Sequence, residues 1–196
     1  MGVGTVSAVR RRGVFLDRDG VLNRAVMRHG SPYPPSNLDE LEITPHAGHD
    51  LAELKKLGFV LIVVTNQPDV GRGSQSSEAV QQIHQVLRNA LPVDAILVCY
   101  HGDDEGCGCR KPKPGMLLQA ASEYAIDLSN SYLVGDRWRD IDAGHRAGCT
   151  TILIDFGYAE QKPAIEPHAR VGSLREAVAW IQRHEAEGNT NHVPRS

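Results

Sequence analysis

The chain has no apolar run long enough to cross a bilayer as a helix, and no short apolar segment of the kind that directs export. A membrane protein is therefore not expected, and the cytoplasm is the expected location. Positive charge is not in excess either: 21 Lys and Arg stand against 24 Asp and Glu, a formal net charge of −3. Such a balance lacks the electrostatic footprint of a nucleic-acid or membrane-surface binder. The one basic run, Arg10-Arg11-Arg12, is short and reads as a solvated edge. Met1-Gly2 carries no myristoylation signal, because the position that needs Ser or Thr is Val6. Only four cysteines occur, and in a cytosolic chain they point to metal or inert core rather than to disulfides. No internal repeat is visible. What is there is ordinary for a globular domain: 196 residues, 41% hydrophobic and 23% charged, enough for one core.

The pattern along the chain alternates strands with helices. Val14-Phe15-Leu16 is a short apolar strand running into Asp17, Arg18, Asp19 and Gly20. Residues 20–44 have no clean period and hold Pro32, Pro34 and Pro35, which predicts a long functional loop. Thr44-Pro45 reads as an N-cap followed by a first-turn proline, with Ala47, Leu51, Leu54 and Leu57 as the apolar stripe and Gly58 as the stop. The continuous run Phe59–Val64 predicts a strand covered on both faces and ends in Thr65-Asn66-Gln67. Val80, Ile83, Leu87 and Leu91 mark a second helix, 95–98 a third strand, 114–125 a third helix and 132–136 a fourth strand ending in Asp136. A fourth helix over 139–147 stops at Gly148, a fifth strand covers 151–154, and Leu174, Val178 and Ile181 mark a last helix. The expected organisation is an extension at 1–12, one domain at 13–186 and a flexible tail at 187–196. Alternation of this kind implies a parallel sheet between two helical layers, with ligands bound beyond the carboxyl ends of the strands.

Five sets of residues carry chemistry. Asp17 and Asp19, two apart in extended chain, lean into one space, where two like charges need a cation or a proton. A plain turn is the alternative. A calcium loop is excluded, because it would want Gly at 22 and Glu at 28, and the chain has Leu22 and Arg28. Thr65 and Asn66 at a strand end suit a phosphate, or simply a capped turn. Arg110-Lys111 supply cationic donors before a helix, or form a solvated basic pair. Gly135-Asp136 with Asp140 places two acids across a helix start, more than capping alone explains. Cys99-x-His101-x5-Cys107-x-Cys109 offers three thiols and an imidazole within eleven residues, the donor set of a closed structural zinc site that would pin the loop presenting Lys111. Cys149 stands apart as a small buried residue, and His46, His49, His84, His145, His168 and His184 read as surface or supporting residues. His29 lies in the entry loop; Trp138 packs over Arg137 or covers the sheet edge.

Asp17-x-Asp19-Gly20, Thr65-Asn66, Lys111 and Gly135-Asp136-x3-Asp140, in this order, resemble the haloacid dehalogenase-like (HAD) phosphatase superfamily. The zinc loop and the runs Asp17–Asn23 and Arg110–Met116 are similar to its subgroup of heptose 1,7-bisphosphate phosphatases and histidinol-phosphatases. Tyr100 and Arg137 depart from the subgroup's usual Pro and Lys. The resemblance implies a capless, three-layer Rossmann-like α/β fold with a small zinc-binding loop at 99–112. It also implies Asp17 as nucleophile, Asp19 as general acid and base, and Thr65 and Lys111 holding the phosphate. Mg2+ would lie on Asp17, Asp19 (through its carbonyl) and Asp136 with Asp140 in support, and Zn2+ on Cys99, His101, Cys107 and Cys109. Asn66, Arg110 and Arg137 would contact substrate. The expected partner is a small phosphorylated sugar, with no nucleic acid or membrane, and the chain is expected to be a monomer.

Overall fold

In the computed structural model, which describes residues 10–190, the β-branched runs form a parallel sheet. In chain order the strands are β1 (Gly13–Leu16), β2 (Val26–Arg28), β3 (Ser31–Tyr33), β4 (Val60–Asn66), β5 (Ala95–Cys99), β6 (Tyr132–Gly135), β7 (Thr150–Ile154) and β8 (Ala169–Val171). The helices are α1 (Ala47–Lys56), α2 (Pro68–Gly71), α3 (Ser77–Ala90), α4 (Gly115–Glu123), α5 (Trp138–Ala147) and α6 (Leu174–Thr190). Six strands pair in the order β5-β4-β1-β6-β7-β8, all parallel, and β2 and β3 form a separate antiparallel hairpin.

β1 lies inside the sheet, with Phe15 opposite Ile62 on one side and Leu133 on the other. Its alternation divides the core. Val14 and Leu16 pack with Leu51, Ile83 and Ile181 from α1, α3 and α6, while Phe15 packs on the opposite face with Leu117 and Ala143 from α4 and α5. The expected three layers are present, with no cap domain among the described residues. From β1 the chain winds outward through β4 to β5, then returns to β6 beside β1 and winds the other way. The reversal opens a crevice at the carboxyl ends of β4, β1 and β6.

Several local expectations are corrected. Thr44 does not cap α1: its hydroxyl donates to the Val21 carbonyl (2.7 Å), and α1 begins after His46, a left-handed residue with φ 64°. The hydroxyl's better partner was the entry loop, which spacing could not show. Residues 20–44 are not structureless, because they contain the β2–β3 hairpin, turned at His29 and Gly30, both at positive φ. β8, with only Ala169–Val171, has no periodicity to reveal it and exists by pairing with β7. Arg12 is drawn from the solvated edge onto the Phe59 ring (4.6 Å) and pairs with Glu185. α6 runs on to Thr190, into the stretch read as a tail; residues 1–9 and 191–196 lie outside the described residues. No helix among the described residues is long and apolar enough to cross a membrane.

Candidate active site

Every strand end at the crevice delivers a polar side chain. Asp17 follows β1, Thr65 and Asn66 close β4, and Asp136 follows β6. Asp140, in the first turn of α5, accepts from the Arg137 backbone N–H (3.0 Å) and thereby caps the helix. It also reaches Lys111, whose Nζ lies 2.5 Å from Asp140 Oδ1, 2.9 Å from Asp17 Oδ1 and 2.8 Å from the Val64 carbonyl. Lys111 and Asp140 are 2% and 1% exposed. The carboxylate oxygens of Asp17, Asp136 and Asp140 come within 4.8 Å of one another, although Asp17 is more than a hundred residues from the other two.

One buried ammonium cannot compensate three buried carboxylates. Burial, then Asp140, pushes Asp17 up to about 7, against the opposing pull of Lys111. Burial and the neighbouring Asp17 and Asp140 raise Asp136 as well, while the two acids hold Lys111 above its ordinary value in spite of burial. Asp136 Oδ1 is buried with no hydrogen-bond partner. A surplus of negative charge, hard oxygen donors and a buried carboxylate oxygen without a partner fit a small divalent cation.

Two glycines make this approach feasible. At Gly20, with φ +85°, a Cβ would stand 2.0 Å from Asp136 Oδ2; at Gly135 it would stand 2.2 Å from the Asp140 Cβ. The neighbouring side chains lock the site. Asn66 spends both ends of its amide on the Lys111 main chain, donating to its carbonyl (3.0 Å) and accepting from its N–H (3.1 Å). Thr65 is buried and accepts from the Gln67 amide (2.9 Å). Asp19 lines the same cavity, but its carboxylate is outside the acid trio and is held by Arg18, Asn23 and Gln67.

A cavity of about 230 Å3 opens from this cluster, walled by Tyr33 and Pro34 of the hairpin region and by Arg72, Arg110, Arg137 and Arg139. Asp103 takes guanidinium contacts from Arg110 (2.9 Å), Arg72 (3.1 Å) and Arg139 (3.5 Å). Arg137 is held by Glu160 and lies over the Tyr158 ring (5.9 Å), so Trp138 is not its platform; Arg139 stacks on Trp138 instead (4.9 Å). Sequence reasoning missed Arg72, Arg139, Tyr158 and Glu160, which sit in loops or at helix ends without a motif. His29 does not line the cavity.

The four zinc-type donors also converge. Sγ of Cys109 lies 3.2 Å from Cys99, 3.5 Å from Cys107 and 3.3 Å from His101 Nδ1, and no disulfide forms among the described residues. These separations are near the edges of a tetrahedron with metal–sulfur bonds of about 2.3 Å. The same loop carries Asp103 and, directly after Cys109, Arg110 and Lys111.

Comparison with known proteins agrees with this geometry. The HAD-hydrolase-like family matches residues 108–177. The D-glycero-β-D-manno-heptose-1,7-bisphosphate 7-phosphatase of Helicobacter pylori J99 is 32% identical over 87% of this chain and 97% of its own length. The enzyme of the same name from Vibrio cholerae is 37% identical over 87% and 96%. With that extent of similarity, the chain belongs to the HAD-like phosphatases. Within them its relatives are heptose bisphosphate phosphatases. The crystal structure of the D,D-heptose 1,7-bisphosphate phosphatase from B. bronchiseptica, complexed with magnesium and phosphate, superposes with a TM-score of 0.76 at 30% identity, covering 88% of this chain and 99% of that one.

Proposed function

We propose that this phosphatase removes the C7 phosphate of D-glycero-D-manno-heptose 1,7-bisphosphate through an aspartyl-phosphate on Asp17. The observation that carries the substrate is the charge layout of the cavity. The acid trio and Lys111 stand at its floor, while Arg72, Arg110, Arg137 and Arg139 line the same space. Asp103 serves three of these arginines, which leaves positive charge to meet a second phosphate on the same small molecule.

Asp17 Oδ1 accepts from the Arg18 backbone N–H (2.7 Å) and from Lys111, so Oδ2 is the oxygen left to attack phosphorus. As that bond forms, the bond to the C7 oxygen breaks, and Asp19 gives the leaving oxygen its proton. Asp19 then takes a proton from the water that attacks the phosphoryl group, and the Asp17 carboxylate departs. Mg2+, held by Asp17, Asp136 and the Asp19 carbonyl with Asp140 in support, supplies charge compensation for the phosphoryl oxygens and favours ionised Asp17. Lys111 and Thr65 bind the phosphoryl oxygens from the β4 side, and Asn66 holds the Lys111 main chain in place. Zn2+ on Cys99, His101, Cys107 and Cys109 is structural and fixes the segment that carries Arg110 and Lys111.

Phosphate release with Mg2+ over both anomers of heptose 1,7-bisphosphate, histidinol phosphate and fructose 1,6-bisphosphate tests the proposal, with Asp17→Asn as the blank. Preference for a heptose bisphosphate is expected. Preference for histidinol phosphate overturns the substrate, and turnover by Asp17→Asn overturns the covalent route.

A further inference from the structure

Between the two motif aspartates lies a charged side chain that the reaction as described does not use. Arg18 has no solvent exposure at all. Its Nε and Nη2 form a fork on the two oxygens of Asp19, at 3.1 and 3.0 Å. The third donor, Nη1, lies 3.0 Å from Nε2 of His84, which reaches in from the buried face of α3. A guanidinium can only donate, so His84 Nε2 must accept and carries no proton. Burial and the charges of Arg18 and Arg88 push His84 down to about 4, which keeps the ring neutral for that purpose. Two neutral amides complete the cradle: Asn23 donates to Asp19 Oδ1 (3.0 Å) and Gln67 to Oδ2 (2.8 Å).

An arginine buried only to fill space would be a poor choice, because desolvating a guanidinium offsets much of what its pairing returns, and a well-packed apolar residue of similar volume serves as well. Bidentate pairing does something an apolar residue cannot: it sets the plane and the position of a carboxylate. His84 in turn blocks the rotation of the fork from the far side.

We infer that Arg18, propped by His84, is a positioning residue that fixes the Asp19 carboxylate for proton transfer. The inference rests on the acid–base role proposed for Asp19. It requires Asp19 to yield one of its neutral amide donors, not the guanidinium, when it handles a proton.

Arg18→Met, His84→Leu and His84→Gln test it, with Asp19→Asn as reference, on the sugar bisphosphate and on p-nitrophenyl phosphate, whose leaving group departs without a proton. Misplacing an acid–base group costs on the order of a hundredfold, so Arg18→Met should lose roughly that in kcat on the sugar substrate with KM nearly unchanged. The loss in the first step should be smaller on p-nitrophenyl phosphate, and quenched samples should accumulate phosphorylated Asp17. His84→Gln, which keeps an acceptor, should retain more activity than His84→Leu. Arg18→Met added to Asp19→Asn should cost nothing further. Equal losses in the phosphorylation step on both substrates, additivity with Asp19→Asn, or identical behaviour of the two His84 variants would overturn the inference. If Arg18→Met does not fold, the His84 pair decides. An active Asp19→Asn would instead overturn the acid–base role itself, a separate failure.

Discussion

Lys111→Met removes the one cation from the buried acid cluster while keeping a side chain of similar length. Lys111 Nζ is 2.5 Å from Asp140 and 2.9 Å from Asp17, and almost no water reaches it. Removing one member of a buried ion pair typically costs about 3–5 kcal/mol, because the partner charge stays behind. For a chain of this size each kcal/mol moves the melting temperature by about 2–4 °C, so a drop on the order of 10 °C is expected in EDTA near pH 8. The cost must depend on pH. Folded Asp17, at about 7, binds a proton more tightly than an ordinary carboxyl at 3.8, so metal-free stability falls as pH rises through that interval. Lys111 is the group holding Asp17 down. Without it the loss extends past pH 7, and parent and variant should differ more near pH 8 than near pH 5. Saturating Mg2+ replaces part of the missing charge and should narrow the gap. Thermal melts at both pH values, with EDTA and with Mg2+, measure all of this. A variant that melts with the parent near pH 8 in EDTA, or a gap independent of pH, would refute the charge reasoning. Activity should fall at least about a hundredfold even at saturating Mg2+, through lost stabilisation of the phosphoryl charge.

Gly20→Ala places a methyl group on Asp136 Oδ2 and forces a left-handed φ, a strain of about 1–2 kcal/mol. Isothermal titration should show Mg2+ affinity at least about tenfold weaker; parent-like affinity would show that Asp136 has room to move. Chelating zinc, or Cys109→Ala, should lower the melting temperature before it lowers Mg2+ affinity, since the donors sit in the loop and not in the acid cluster. Unchanged melting after zinc removal would mean that the loop does not depend on the metal.

Much of the fold was legible because it is written locally. The β-branched run Phe59–Val64 reads as a covered strand and supplies most of β4, and the stripe Val80-Ile83-Leu87 is a helix with one buried face. Gly148 closes α5 in the left-handed conformation, as its position after the stripe implies. The hairpin over 26–33 and β8 were not legible, since three-residue strands owe their existence to a partner. The same division runs through the site. The positions of Asp17, Thr65 and Asp136 at strand ends could be read from the chain, while Lys111 and Asp140 were marked out by the order of motifs that the resemblance supplied.

What the sequence determined by itself was therefore the class of fold, the residue types at the strand ends and the clustering of Cys and His donors in one loop. Only the tertiary structure decided that Lys111 is shared between Asp17 and Asp140, that Asn66 holds the Lys111 main chain, that Arg72 and Arg139 join Arg110 and Arg137 around the cavity, and that Arg18 turns inward to His84. The physical reason is range. Periodicity and capping act over a few residues, whereas the partner of a buried charge is whichever group the sheet brings within about 3 Å, at any distance along the chain.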